Sequence, residues 1–144
     1  MTHYYEDLKA GQSATMMRTV TERDIQLFGE ATGDFNPVHF DEAYAKKTVF
    51  RGRVAHGVLS LGFISAVIGT ELPGPGSIFV SATTHFRGPV RIGDTVVTTC
   101  TVKEIGERRE VVLDCRCEVS GKIVVEGEAL VLAPKKPVTT FETA

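Results

Sequence analysis

The sequence predicts an α+β domain in which an antiparallel sheet curls around one long helix. Three observations predict it. The chain changes character once: residues 1–72 carry helix signals, and residues 77–132 read as strands joined by short turns. Within the first part, the run from His56 to Thr70 has apolar or small residues on every side, which predicts an enclosed helix rather than a half-exposed one. Finally, 144 residues with 42% hydrophobic and 24% charged content suit one globular unit. A chain of this size buries about two thirds of its surface, enough for a core without metals or disulfides.

The elements follow in chain order. Residues 13–20 mix polar positions with Met16, Met17 and Val20, a weak strand. Thr21 then stands where a cap for the Asp24 amide is needed, with Glu22 and Asp24 at the positive end of the helix dipole. Ile25, Leu27, Phe28 and Ala31 supply an apolar face, and Gly33 ends the helix by taking positive φ. Asn36 before Pro37 resists the helical region and reads as a cap with proline at the first helical position. Asp41 caps a second short turn over residues 42–47. Residues 49–55 form a loop before the long apolar helix, which Pro73-Gly74-Pro75-Gly76 stops. Four strands remain, over residues 78–87, 95–105, 110–119 and 123–132, and the short turns between them predict consecutive antiparallel hairpins. The whole chain, 1–144, reads as one domain with a core over about 5–133 and a C-terminal tail, 134–144. Sheet edges left over from such packing predict a homodimer.

Composition excludes several functions. Sixteen Lys and Arg against eighteen Asp and Glu give a net charge of −2, so the basic excess of a duplex-DNA binder is missing. Without tryptophan, and with 8% aromatics, a base-stacking module is not expected either, so no nucleic-acid partner is predicted. Cys100, Cys115 and Cys117 have no Cys-x-x-Cys spacing and read as small apolar residues of a sheet. The first residues carry acids where a signal peptide needs basic ones, and the longest apolar stretch, 58–68, is too short for a bilayer. A cytoplasmic protein without membrane contact is expected.

Chemistry concentrates at one place. Asp34 and His39 lie five residues apart, which would separate them by ~17 Å if extended. The Asn36-Pro37 turn instead folds the segment so that both side chains reach one point. A carboxylate and an imidazole there can hold one water and move its protons. As residues alone they are equally a cap and a turn.

The run Gly33-Asp34-Phe35-Asn36-Pro37-Val38-His39 resembles the Gly-Asp-x-Asn-Pro-x-His motif of the MaoC-like hydratase/dehydratase family, closest to its (R)-specific enoyl-CoA hydratases. His56-Gly57-Val58-Leu59 resembles the His-Gly pair that opens the family's central helix, and the segment 72–78 is similar to the one that leaves it. The resemblance implies a hot-dog fold, a homodimer, and reversible addition of water to a trans-2-enoyl-CoA thioester to give the (R)-3-hydroxyacyl product. It implies catalytic roles for Asp34 and His39. Asp34 takes a proton from the water attacking C3, and His39 holds that water and helps deliver a proton to C2, with the division open between them. The resemblance also implies that the Gly57 amide, at a helix N-terminus, stabilises the developing enolate oxygen.

Around this pair, Asn36 holds the turn and Ser65 matches a helix serine near the carboxylate. Val38, Phe40, Leu59, Phe63 and Phe79 are candidate lining residues for the acyl chain, although core packing explains each of the five equally well. Arg51, Arg53, Arg87 and Arg91 are candidates for a carrier phosphate. His56 reads as a cap or loop contact. The reaction needs neither cofactor nor metal, since coenzyme A is part of the substrate. The alternatives are a 3-hydroxyacyl-acyl-carrier-protein dehydratase with the same catalytic residues, an acyl thioesterase, and a noncatalytic acyl-binding module.

Overall fold

The computed structural model describes residues 1–138. After a single 3-10 turn at Tyr5–Asp7, the order is β1 (Ser13–Thr19), α1 (Glu22–Thr32), α2 (Pro37–Phe40), α3 (Glu42–Ala45), α4 (Gly57–Thr70), β2 (Ile78–Phe86), β3 (Thr95–Ile105), β4 (Glu110–Val119) and β5 (Lys122–Leu132). The strands form one antiparallel sheet in the order β1-β3-β4-β5-β2, with α4 laid across it.

Local chemistry sets the helix ends. The Thr21 hydroxyl accepts the Asp24 amide while the Asp24 carboxylate accepts the Thr21 amide, a reciprocal cap that satisfies two donors at the start of α1. Gly33, at φ 81°, closes α1 by donating its amide to the Gly29 carbonyl at 2.8 Å. Asn36 caps α2 with Pro37 at its first position, and Asp41 caps α3.

Alternation along the strands builds the core. Val96, Thr98, Cys100 and Val102 of β3 are buried, as are Val111, Leu113, Cys115 and Cys117 of β4. They meet Ile64, Val67 and Ile68 of α4 in one cluster. The three cysteines are free thiols in that core, with Cys100 directly opposite Cys115 in the register. The neighbouring Cys115 sulfur and burial together hold the Cys100 thiol far above its usual value, so it behaves as an apolar side chain.

Two expectations need correction. The strands after α4 are not all consecutive hairpins: β2 pairs with β5, not with β3. The intervening residues 87–94 cross from one flank of the sheet to the other. Arg87 and Gly88 donate to the Val124 carbonyl, Ala55 donates to the Val90 carbonyl, and Gly93 donates to the Val20 carbonyl. Val90 is buried, so this connection is anchored by its own apolar residue rather than closed as a tight turn. Nor is α4 enclosed on all sides. Its sheet-facing residues Ser60, Ile64, Val67 and Ile68 are buried, but Val58, Gly62, Ser65 and Gly69 form an exposed stripe. One sheet covers one side of a helix, and nothing among the described residues covers the other.

The start of the C-terminal tail runs beside the N-terminal segment, where Pro134 accepts the Tyr5 amide and the Lys136 amide donates to the Glu6 carboxylate. The remainder of the expected tail, 139–144, lies outside the described residues.

Candidate active site

The site is built by the chain that leaves α1. The Thr32 hydroxyl donates to the Phe28 carbonyl at 2.6 Å and accepts the Asp34 amide at 3.1 Å. The Asp34 carboxylate then accepts the Asn36 amide, and the Asn36 side chain accepts the Val38 amide. Such side-chain turns let Asp and Asn substitute for backbone pairing where the chain bends. One turn of helix later comes His39, half-buried, with Nδ1 at 2.7 Å from the Val54 carbonyl. A carbonyl only accepts, so Nδ1 carries the proton and Nε2 presents a lone pair in the neutral ring.

Sequence spacing correctly anticipated that Asp34 and His39 meet. His56 joins them. One donor atom from each of Asp34, His39 and His56 lies within 4.8 Å of the others. A single water with hydrogen bonds of ~2.8 Å can bridge such a gap between carboxylate and imidazole. The His39 and His56 rings stack with centroids 3.9 Å apart and 33° between their planes. Burial, together with the adjacent His56, holds His39 below the ordinary histidine value of 6.5, against the Val54 carbonyl and Asp34, which pull it upward. His39 is thus neutral at neutral pH.

Beside this group opens a cavity of about 540 Å³, walled by Asn36, Val38 and His39 on one side and by Gly57, Phe86 and Val90 on another. Gly57 is the first residue of α4, where helix amides lack partners within the helix. A Cβ at this position would sit 2.8 Å from a carbon of the Phe86 ring, so only glycine lets ring and helix start close together. Asp34 is half-buried and is not itself among the lining residues, but it lies next to His39, which is.

The other sequence candidates are distributed as follows. Phe40, Leu59 and Phe63 pack against the core cluster. Ser65 lies on the exposed stripe of α4, and Phe79 is exposed on β2. Arg53 donates to the His39 carbonyl and pairs with Glu22 at 2.7 Å, while Arg91 donates to the Arg53 and Phe50 carbonyls. Arg53 is thereby tied to α2, which carries His39, and Arg91 to the loop before α4. Arg87 borders the cavity and makes an exposed pair with Glu126, and Arg51 is exposed. Val54, Phe86 and Val90 line the cavity without having been singled out, because a lone valine or phenylalanine carries no local signal of what it will face. A second recess, of about 570 Å³ on the sheet among Asp114, Arg116, Glu126 and Glu128, shares only Arg87 with the first and contains none of the Asp34 group.

Residues 7–126 match the MaoC like domain. The chain is 53% identical to an (R)-specific enoyl-CoA hydratase of Rhodospirillum rubrum, over 93% of this chain and 94% of that protein. It is 48% identical to a 3-hydroxybutyryl-CoA dehydratase of Methylorubrum extorquens, over 92% of this chain and 85% of the relative. Among solved structures, the unliganded R-hydratase PhaJ1 of Pseudomonas aeruginosa superposes with a TM-score of 0.89 at 40% identity, covering 96% of each chain. The (R)-hydratase of Aeromonas caviae superposes with a TM-score of 0.86 at 33% identity, over 90% of this chain and 99% of the other. The sheet wrapped on α4 is thus the hot-dog fold, and with the match running through nearly all of its elements the chain belongs to the MaoC-like family.

Proposed function

We propose that this chain is an (R)-specific enoyl-CoA hydratase, a hydro-lyase that adds water reversibly to trans-2-enoyl-CoA and yields (R)-3-hydroxyacyl-CoA. The observation that carries this reading is the meeting of Asp34 and His39 beside an apolar cavity that the N-terminus of α4 also borders. Relatives named as a hydratase and as a dehydratase fit the two directions of one reversible reaction.

The chemistry follows from the groups present. Both Asp34, as carboxylate, and His39, through Nε2, accept hydrogen bonds, so they match the two protons of one water. As the water oxygen bonds C3 it keeps one hydrogen as the new hydroxyl, held by His39 Nε2, while Asp34 takes the other proton and passes it to C2, which restores the carboxylate. One water supplying both fragments adds them to the same face of the alkene, and a water fixed on one side of the bound alkene gives one configuration at C3. Charge moves meanwhile onto the thioester oxygen. The Gly57 amide and the positive end of α4 are suited to hold it, an interaction whose loss typically costs ~3–4 kcal/mol of barrier. Asn36 keeps the turn, Val38 lines the acyl cavity, and coenzyme A enters as part of the substrate, with no resident cofactor or metal required.

A homodimer completes this reading. The edge strand β2 leaves Ile78, Val80 and Phe86 each more than half exposed, and α4 leaves its small-residue stripe open. Both are surfaces a second copy would cover. Among the described residues no helix is long and apolar enough to cross a membrane. Three free thiols suit a reducing compartment such as the cytoplasm.

The test is hydration of crotonyl-CoA followed by loss of enoyl absorbance, with the product's configuration determined. Wild type is expected to form (R)-3-hydroxybutyryl-CoA, and Asp34→Asn and His39→Gln to lose ~10²-fold or more each. Release of free thiol would instead make the protein a thioesterase. Activity confined to acyl-carrier substrates would make it a dehydratase of fatty acid synthesis. Full activity in both variants would overturn the site.

A further inference from the structure

His56 is buried at the site, yet the mechanism above leaves it idle. It is 1% exposed and sits at the cap position of α4, directly before Gly57. Its Nε2 lies 3.0 Å from the Asp34 carbonyl oxygen. A carbonyl only accepts, so Nε2 carries the proton and Nδ1 the lone pair. Nδ1 is fully buried and, among the described residues, is the one buried side-chain polar atom without a hydrogen-bond partner. The ring is packed by Phe28 at 4.5 Å and Phe40 at 5.7 Å between centroids, besides its stack on His39.

This is a niche that folding alone would fill better with an apolar ring. A buried acceptor without a partner costs stability, and an apolar group of the same shape would not. What the imidazole supplies is a bond. Asp34 lies between a left-handed glycine and an Asn-Pro turn, and its side chain is held only by the neighbouring Asn36 amide among the hydrogen bonds described. The His56 Nε2–H reaches across 22 residues of sequence to fix that peptide. The same residue backs the His39 ring and precedes the Gly57 amide.

We propose that His56 is a positioning residue for the hydration, a proposal that rests on the reading of function above. Its Nε2–H locks the Asp34 peptide and its ring face sets the plane of His39. The carboxylate, the imidazole and the Gly57 amide thereby keep one arrangement around the water. The titratable groups that face His56 are His39 from α2 and Asp34 from the loop; α1 places Phe28 against the ring and α2 adds Phe40, and among the described residues nothing donates to Nδ1. His39 in turn is kept neutral by burial and by the adjacent His56, so the acid limb of wild-type activity falls below pH 6.5.

The test uses His56→Phe, which keeps a ring and removes the donor, and His56→Gln, whose amide can still donate. Four measurements apply to each: melting temperature, kcat and KM with crotonyl-CoA, the pH profile, and an NMR titration of the His39 ring. For His56→Phe the expected results are a folded protein with an unlowered melting temperature, and a KM within about 2-fold, since His56 is not on the cavity wall. Its kcat should fall by ~10²-fold, the scale of a small misplacement of reacting groups. The acid limb and the His39 titration should both move to higher pH, and His56→Gln should recover part of kcat. An unchanged kcat with an unmoved His39 titration in His56→Phe overturns the proposal. So does a fall in melting temperature with kcat per folded molecule preserved. Should wild type fail to hydrate crotonyl-CoA, the reading of function fails, and the His39 titration still decides the positioning because it needs no turnover.

Discussion

The Phe86 ring decides what can stand at position 57. A methyl group there meets the ring at 2.8 Å, so either the ring or the start of α4 must move. Gly57→Ala is therefore expected to lower kcat by ~10²-fold or more, by displacing the amide proposed to hold the thioester oxygen. Gly57→Ala combined with Phe86→Leu, which removes the colliding ring, should recover part of that loss in the same absorbance assay. If the single variant is fully active, the amide has no part in the reaction. Residue-scale features of this kind divide sharply by legibility. Asp34, Asn36 and His39 were readable because their turn is made by neighbours in sequence, through hydrogen bonds two residues long. His56 was read as a cap or loop contact; it makes no side-chain cap bond, and its partner is the Asp34 carbonyl of the loop after α1. Arg53 and Arg91 were read as phosphate candidates and are found holding backbone carbonyls of α2 and of the loop before α4.

At the scale of the element, α1 carries the site at its C-terminal end, so its N-terminal cap has a functional consequence. Burial alone would raise the Asp24 carboxyl, but the Thr21 amide, Arg18 and the Thr21 hydroxyl outweigh it and hold the group below the ordinary value of 3.8. A depressed carboxyl contributes stability above its unfolded value and loses it as pH falls through its folded one. Asp24→Asn is thus expected to destabilise the protein at pH 7 by about 1 kcal/mol, the usual worth of a cap. The difference in melting temperature from wild type should stay level down to about pH 4 and close below it. A gap that persists at pH 2 would mean that packing, not charge, accounts for the effect. Arg53 ties this end of α1 to the site as well, since one guanidinium bonds Glu22 and the His39 carbonyl.

For the whole molecule, the exposed side of α4 and the edge of β2 are the features a second copy would complete. Gly62 lies on that open side, and a Cβ there meets nothing within 4 Å in its own chain. Gly62→Lys should leave the isolated chain folded, and even favour the helix by several tenths of a kcal/mol. It should also shift sedimentation from dimer to monomer and take the hydratase activity with it. A variant that remains dimeric and active would place the interface elsewhere.

Capping, turn formation and strand alternation act over a few residues, which is why the helix starts at Thr21 and Asn36, the stop at Gly33 and the bounds of β3 and β4 were all present in the linear chain. Apolar content likewise marked α4 as the central helix. Which surfaces meet is a nonlocal matter: the pairing of β2 with β5, the crossing of residues 87–94, the uncovered side of α4 and the seat of His56 depend on partners tens of residues away. The entropy of closing loops of different lengths varies only slowly, so it scarcely distinguishes those partners. Burial of complementary apolar surface does, and that surface exists only once the chain has folded.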